Sequence, residues 1–313
     1  MNLASLALLL LGSFIYCDAK AQAPDSNFDL VYELPGGVEL TQDIVYANPD
    51  GRKLHLDLFQ PPASGNNRPA VILIHGGGWR RGNKTQYWRQ AANLAERGFV
   101  AVSIEYRLAT EARFPAALQD AKAAVRWLRA NAETYRVDPD RIGALGGSAG
   151  GYLAAMLGVT EEVPEFEGTG GNPDVSSHVR AVAALYPFLD LVAEGERRGP
   201  EDETIVPFLG ATLASNRQLW VKASPISYVG PETPPFLLLH GTADTVVPYQ
   251  QSVSMLTALQ AAGVDAEIFT AEDAAHGFGS HPRWYTSTTD ATAEFFWETL
   301  APGYVRTPAF ENQ

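Results

Sequence analysis

The sequence predicts an α/β fold in which helices cover both faces of a mostly parallel central sheet. Apolar runs, such as residues 70–74 and, apart from Ser103, residues 100–104, are typical of strands that are buried on both faces. Segments with helical periodicity alternate with these runs along the chain. An alternation of this kind indicates a parallel sheet with helices on its two faces.

Local patterns predict the individual elements. Residues 53–59 alternate in polarity after an Asn-Pro-Asp-Gly turn, as a strand does. Pro115 suits the first position of a helix, whereas Gly98 and Gly263 suit helix ends. The predicted strands span residues 38–45, 53–59, 70–74, 100–104, 142–145, 182–186, 236–239 and 266–270. The predicted helices span residues 85–97, 115–134, 152–157, 252–262 and 289–300.

Residues 193–224 depart from the alternation of strands and helices. They lie between two core strands, begin with acidic residues and have a helical pattern around residues 213–221. The sequence predicts a small lid-like insertion over the sheet here, and an ordinary crossover with a long loop is the alternative. We expect one domain over residues 22–313 that contains this insertion.

The N-terminus has the pattern of a secretion signal. Residues 6–16 are apolar apart from Gly12 and Ser13, and this run is too short to span a bilayer comfortably. An Ala-Lys-Ala cleavage pattern follows at residues 19–21, although no Lys or Arg precedes the apolar run. The sequence therefore predicts a signal peptide over residues 1–21 and a secreted or periplasmic protein.

The charge balance argues against two classes of partner. The formal net charge is −13, with 36 acidic and 23 basic residues. Like charges repel, so nucleic acid and anionic membrane surfaces are disfavoured as partners. We expect no stable membrane insertion either.

The segment Gly-Gly-Ser-Ala-Gly at residues 146–150 matches the pattern G-x-S-x-G. It follows the apolar run at residues 142–145 and precedes the helical segment at residues 152–157, which is the strand–turn–helix context that the motif requires. Small neighbours allow a sharp turn that lifts the Ser148 hydroxyl clear of the sheet. The sequence predicts that Ser148 is a nucleophile rather than part of a tightly packed turn.

A second glycine-rich segment, His-Gly-Gly-Gly-Trp at residues 75–79, directly follows the predicted strand at residues 70–74. Consecutive glycines allow the backbone N–H groups to turn inward. Two such donors, together with the N–H of Ala149, would face the oxyanion of a tetrahedral intermediate. A phosphate-binding loop is the alternative, but its Gly-Lys-Ser/Thr ending is absent.

A nucleophilic serine needs a base, and His276 is the predicted base. It lies in a short loop after the strand at residues 266–270, and the glycine that follows it allows a place at the loop tip. His281 is the alternative base. It lies farther along the chain, directly before Pro282, where a solvated loop histidine is a sufficient interpretation.

The base in turn needs a carboxylate that orients it. In folds that carry this serine motif, the acid precedes the base along the chain. Asp244 follows the strand at residues 236–239 and is the predicted acid, although Asp also caps helices and forms turns. Asp273 is the alternative acid. His240 is interpreted as a packing residue at the strand end.

Taken together, these segments resemble the hormone-sensitive-lipase-like branch of the α/β-hydrolases. Within that branch the chain is most similar to bacterial feruloyl and acetyl esterases. Many relatives have a longer N-terminal helical cap, where this chain has predicted strands. The matching segments are residues 75–79, 105–108, 114–120, 127, 146–151, 223–226 and 240–248.

The resemblance implies an α/β-hydrolase fold and a role for each residue already singled out. It implies a catalytic triad and an oxyanion hole that is formed by backbone N–H groups. The implied triad residues are Ser148, Asp244 and His276. The implied oxyanion-hole donors are Gly77, Gly78 and Ala149. No metal or organic cofactor is expected, because no Cys/His spacing typical of a metal site is present.

The resemblance also implies the substrate class. It implies a serine esterase for short-chain or aromatic acyl esters, on a small molecule or an oligosaccharide, such as acetyl or feruloyl groups of plant polysaccharides. Trp79 is predicted to contact the substrate. The alternative is that Trp79 and Trp88 are both core residues.

Two other functions stay open. An arylformamidase-type amide hydrolase is one, because that family also carries a His-Gly-Gly-x-Trp loop; the predicted signal peptide counts against it. A non-catalytic binding protein that keeps the hydrolase fold is the other. Such proteins usually lose a triad residue, whereas Ser148, Asp244 and His276 are all present.

Overall fold

The structure is a computed structural model that describes residues 34–301, except residues 63–64, 162 and 200–201. The predicted signal peptide and both ends of the predicted domain lie outside the described residues. The described part of the chain contains an eight-stranded sheet in the order β1-β2-β4-β3-β5-β6-β7-β8. These strands are β1 (Glu39–Ala47), β2 (Leu54–Gln60), β3 (Arg68–Ile74), β4 (Val100–Ile104), β5 (Val137–Gly147), β6 (Ala181–Leu185), β7 (Phe236–Gly241) and β8 (Ala266–Ala271).

The sheet is mostly parallel, as the sequence predicts. Strand β2 pairs in antiparallel fashion with β1 and with β4, and all the other neighbours are parallel. The carboxyl ends of β3, β5, β6, β7 and β8 therefore meet at one edge. Loops that follow neighbouring parallel strands form the usual ligand site of open α/β sheets.

Helices cover both faces of the sheet, and this confirms the predicted α/β architecture. The helices are α1 (Trp88–Glu96), α2 (Ala116–Ala130), α3 (Ala132–Tyr135), α4 (Ala149–Val159), α5 (Leu191–Arg198), α6 (Ile205–Leu209), α7 (Arg217–Lys222), α8 (Gln250–Ala261) and α9 (Pro282–Leu300). Helices α2, α4 and α8 contribute to one hydrophobic core, and α1 and α9 contribute to the other.

Strand β3 shows why the central runs are apolar without alternation. Ala70, Ile72 and Ile74 belong to the core under α2 and α4, whereas Val71 and Leu73 belong to the core under α1 and α9. All five side chains are fully buried. Complete burial of a valine, leucine or isoleucine side chain contributes about 1.5–3 kcal/mol to the free energy of folding. Side chains on both faces of this strand therefore stabilise the sheet.

Several helix boundaries differ from the predictions. The predicted helix at residues 115–134 is interrupted at Asn131, between α2 and α3. Helix α9 begins at Pro282 instead of residue 289, because the His281 side chain accepts a hydrogen bond from the Arg283 N–H at the first turn. Three threonines and one serine at residues 286–289 obscure the helical pattern in the sequence.

The predicted insertion at residues 193–224 contains most of α5 and all of α6 and α7. It contacts the glycine-rich loop directly through the Trp79 ring, which stacks on Phe208. It also forms hydrogen bonds with residues outside this loop. The Arg80 guanidinium donates to the Glu203 carbonyl at 2.9 Å, and the Phe114 N–H donates to the Phe208 carbonyl at 2.8 Å. None of the described helices combines the length and the hydropathy that a membrane crossing requires.

Gly158 lies in the last turn of α4, where the helix packs closely on the sheet. A substitution at this position tests how close that packing is. A Cβ at this position would lie 2.6 Å from Cγ2 of Val182 and 3.0 Å from Cζ of Phe236. Alanine is favoured over glycine in a helix by about 0.8–1.0 kcal/mol, but overpacking costs about 1–3 kcal/mol. We expect Gly158→Ala to lower the free energy of unfolding by about 1 kcal/mol, measured by urea denaturation.

Gly230→Ala is the matched control, because nothing lies within 4 Å of a Cβ at that position. We expect it to change the free energy of unfolding by less than about 0.5 kcal/mol. If Gly158→Ala were as stable as the unmodified protein, the close approach of α4 to the sheet would be wrong.

Candidate active site

Ser148 lies at the sharp turn between β5 and α4. Its backbone angles are φ 55° and ψ −120°, a conformation that L-residues rarely adopt. The turn is held because the Ser148 N–H donates to the Leu185 carbonyl at 2.9 Å, and the Ser148 carbonyl accepts from the Tyr152 N–H at 2.9 Å. The side chain is half-buried, so its hydroxyl is restrained but accessible.

A chain of hydrogen bonds connects Ser148 with the predicted base and acid. Nε2 of His276 lies 2.9 Å from Oγ of Ser148, and Nδ1 of His276 lies 2.7 Å from Oδ2 of Asp244. The carboxylate can only accept, so Nδ1–H donates to it. In the neutral imidazole, Nε2 then has a free lone pair and can accept the serine proton.

Asp244 is buried and fully hydrogen-bonded. Its Oδ1 accepts from the N–H groups of Val246 at 2.9 Å and Val247 at 2.8 Å. Its Oδ2 accepts from His276 and lies 3.4 Å from Nε2 of His240. Burial by itself raises the pKa of Asp244. The hydrogen bonds from the two histidines, the charge of His276 and the Val247 N–H outweigh burial and hold this pKa well below 3.8.

The alternatives for base and acid lie outside this chain of hydrogen bonds. His281 is exposed and caps the N-terminus of α9. Asp273 is also exposed, and its backbone N–H donates to Oγ1 of Thr242. The structure brings His276 and Asp244 to Ser148, and it brings neither His281 nor Asp273 there.

The glycine-rich loop lies against the nucleophile turn. A Cβ at Gly76 would be 3.4 Å from Cβ of Ser148. Gly77 has φ +115°, and its carbonyl accepts from the N–H groups of Arg80 and Arg81. A side chain at Gly77 would meet the Arg81 carbonyl at 2.1 Å, so this position requires glycine.

The three predicted oxyanion donors have free N–H groups. Within the described part of the chain, the N–H groups of Gly77, Gly78 and Ala149 donate to no protein acceptor. Ala149 is the first residue of α4, where the helix dipole favours negative charge. No protein acceptor in the described residues therefore competes for these three N–H groups.

His75 supports the loop and has no catalytic contact. It is buried, stacks on Tyr106 with ring centroids 4.3 Å apart, and donates through Nδ1 to the Gly76 carbonyl at 2.8 Å. Burial lowers the pKa of His75 to about 4, although the hydrogen bond to Gly76 opposes this shift. His75 is therefore neutral at neutral pH.

The prediction that Trp79 contacts the substrate is wrong for this structure. Trp79 is 0% exposed. Its ring stacks on Phe208 at 4.3 Å and lies edge-to-face against Tyr152 at 5.1 Å. Trp88 also has a structural contact, since its Nε1 donates to Asp57 at 2.8 Å. These contacts agree with the alternative interpretation, in which both tryptophans have structural roles.

Two residues near the triad have contacts that the sequence does not predict. His240, interpreted as strand-end packing, is 0% exposed and lies beside Asp244, with Nδ1 2.7 Å from Oγ of Ser252. Tyr186 ends the predicted sixth strand, and its ring packs on His276. Both residues lie at the carboxyl ends of core strands, and this position in the sequence could have indicated that they are close to the active site.

Comparison with known proteins identifies the family. The BD-FAE family model matches residues 56–259 of this chain. The chain belongs to this family of α/β-hydrolase esterases. Esterase LipQ of Mycobacterium tuberculosis is 36% identical over 248 residues, which are 76% of this chain and 57% of LipQ. The chain thus spans little more than half the length of this relative.

Solved esterase structures share the fold over most of this chain. The Est2 esterase of Thermogutta terrifontis is 31% identical, with a TM-score of 0.74, and the match covers 87% of this chain and 96% of Est2. A truncated carbohydrate esterase from gut microbiota is 30% identical, with a TM-score of 0.73, over 82% of this chain and 96% of that one. The protein therefore has an α/β-hydrolase fold.

The depressed pKa of Asp244 predicts a pH-dependent contribution to stability. This contribution is complete above the unfolded-state pKa, near 3.8, and is lost as the pH falls toward the folded-state value. We expect the difference in unfolding free energy between the unmodified protein and Asp244→Asn to be larger at pH 5 than at pH 3, because it shrinks below about pH 4. Urea titrations across this range measure it.

Asp273→Asn, which removes an exposed carboxylate outside the hydrogen-bond chain, is the matched control. A difference for Asp244→Asn that stayed constant down to about pH 3 would contradict the depressed pKa.

Proposed function

We propose that this protein is a serine carboxylic-ester hydrolase for esters of short-chain or aromatic acids. The observation that carries the proposal is the continuous chain from Oγ of Ser148 through His276 to the buried carboxylate of Asp244. An imidazole that is oriented by a carboxylate and bonded to a hydroxyl is the arrangement that activates serine for acyl transfer.

The reaction proceeds in two acyl-transfer steps. As Oγ of Ser148 attacks the ester carbonyl carbon, Nε2 of His276 takes the hydroxyl proton, and Asp244 stabilises the resulting imidazolium. The carbon–oxygen bond to the alcohol then breaks, and the alcohol leaves with the proton from Nε2. Water repeats the sequence on the acyl-enzyme, which releases the acid and restores the serine.

The free N–H groups of the glycine-rich loop and of Ala149 supply the electrostatic part of the proposed mechanism. In the tetrahedral intermediate the carbonyl oxygen carries negative charge, and we propose that the free N–H groups of Gly77, Gly78 and Ala149 donate to it. Each donor of such a hole is worth about 2.7–4 kcal/mol in the transition state. The donors are preorganised because the Gly77 carbonyl is bonded to Arg80 and Arg81.

Relatives support the substrate class. Est2 of Thermogutta terrifontis has been solved with propionate and with butyrate bound. A carbohydrate esterase from gut microbiota and a bifunctional GH43-CE protein of Bacteroides eggerthii share the fold, with TM-scores of 0.73 and 0.76. We therefore propose acetyl or feruloyl groups on plant polysaccharides as the natural esters. The predicted signal peptide would place the enzyme in the periplasm or outside the cell, where such polysaccharides occur.

A panel of esters tests this function. We expect hydrolysis of p-nitrophenyl acetate and butyrate, with kcat/KM falling for longer acyl chains, and release of acid from methyl ferulate or acetylated xylan. Ser148→Ala should lower kcat by about 10⁴-fold or more. Ser287→Ala, at an exposed position on α9, is the matched control and should keep the rate of the unmodified protein.

The same assays, with N-formylkynurenine added as a substrate, distinguish the esterase from the two alternative functions. Hydrolysis of N-formylkynurenine without hydrolysis of any ester would favour an amide hydrolase and contradict the proposal. Absence of turnover on every substrate, in a folded protein, would favour a binding protein.

A further inference from the structure

Tyr186 has a strained backbone directly beside the site. It follows the last residue of β6 and has φ +39°, which is rare for a bulky residue. Its N–H donates to the Leu239 carbonyl at 2.7 Å, so the backbone bonding of the sheet extends one residue past β6. Strain of this kind persists only where the surroundings fix it, and it is concentrated at functional sites.

The strained backbone directs the ring onto the candidate base. The ring centroids of Tyr186 and His276 are 4.7 Å apart, and the ring planes meet at 65°. Phe278 supports the same ring from a centroid distance of 5.6 Å. Tyr186 is only 8% exposed, so protein atoms restrain it almost completely.

A second tyrosine anchors the hydroxyl. The hydroxyls of Tyr186 and Tyr87 are hydrogen-bonded to each other. A Cβ at Gly147 would lie 2.4 Å from the Tyr87 hydroxyl and 2.9 Å from that of Tyr186. The pair therefore packs against the residue that immediately precedes Ser148. Burial raises the pKa of Tyr186 to about 12, so its hydroxyl stays protonated.

We propose that Tyr186 is a positioning residue, whose ring holds the imidazole of His276 between Asp244 and Ser148. The ring packs on the imidazole, while the two hydrogen bonds of the imidazole fix only its nitrogens. The proposed role rests on the proposed esterase function. A displacement of about 1 Å in a reacting group can lower the rate by about 10²-fold, so an unsupported imidazole should reduce turnover without weakening substrate binding.

Three variants test this role. Tyr186→Phe keeps the ring and should keep kcat within about threefold. Tyr186→Gly accepts φ +39° without strain but removes the ring, and should lower kcat on p-nitrophenyl acetate by about 10- to 100-fold with KM within about twofold. Phe99→Leu removes a fully buried ring elsewhere; it should lower Tm and leave kcat unchanged.

The outcomes separate a positioning role from a structural one. Rescue of kcat by phenylalanine, together with loss in the glycine variant at unchanged KM, supports the proposal. If folded Tyr186→Gly keeps full kcat, or if Tyr186→Phe loses as much as Tyr186→Gly, the positioning role is overturned. Should the glycine variant fail to fold, Tyr186→Leu takes its place under the same criteria. An unmodified protein without esterase activity would contradict the proposed function itself.

Discussion

The backbone turn at Ser148 is the constraint on which the rest of the site depends. With φ 55° and ψ −120°, the residue leaves β5 and enters α4 within one step, so the hydroxyl projects at the carboxyl edge of the sheet. Every other group of the site is placed by the sheet relative to this turn. The glycine-rich loop follows β3, Tyr186 follows β6, Asp244 follows β7 and His276 follows β8.

The order of the strands explains why these groups meet. Strands β3, β5, β6, β7 and β8 are consecutive neighbours, and all of them are parallel. Residues that are far apart in the chain are therefore brought to one edge. The backbone N–H groups of Ser148 and Tyr186, which both have positive φ, donate to the next strand: Ser148 to Leu185, and Tyr186 to Leu239. Strain at the site is thus balanced by the regular bonding of the sheet.

The sequence predicts the structure best where the backbone conformation or the burial of a strand restricts which residue types are allowed. The glycines around Ser148 and in the loop at residues 75–79 mark turns that side chains would block, and the fully buried strands appear as apolar runs. Which side chains pack against each other in the core cannot be read from the sequence in this way. The stacking of Trp79 on Phe208 joins residues 129 positions apart, so its ring looked equally suited to a substrate. The contact of Tyr186 with His276 likewise depends on the completed sheet.

The proposed chemistry of the site is tested most directly by identifying the residue that a fluorophosphonate modifies. We expect peptide mapping by mass spectrometry to find one adduct, on Ser148, and His276→Gln to slow its formation by at least about 10²-fold. Est2, which shares this fold, has been solved in a form that is phosphorylated by paraoxon. An adduct on another residue, or equally fast labelling of His276→Gln, would contradict a serine nucleophile that His276 activates.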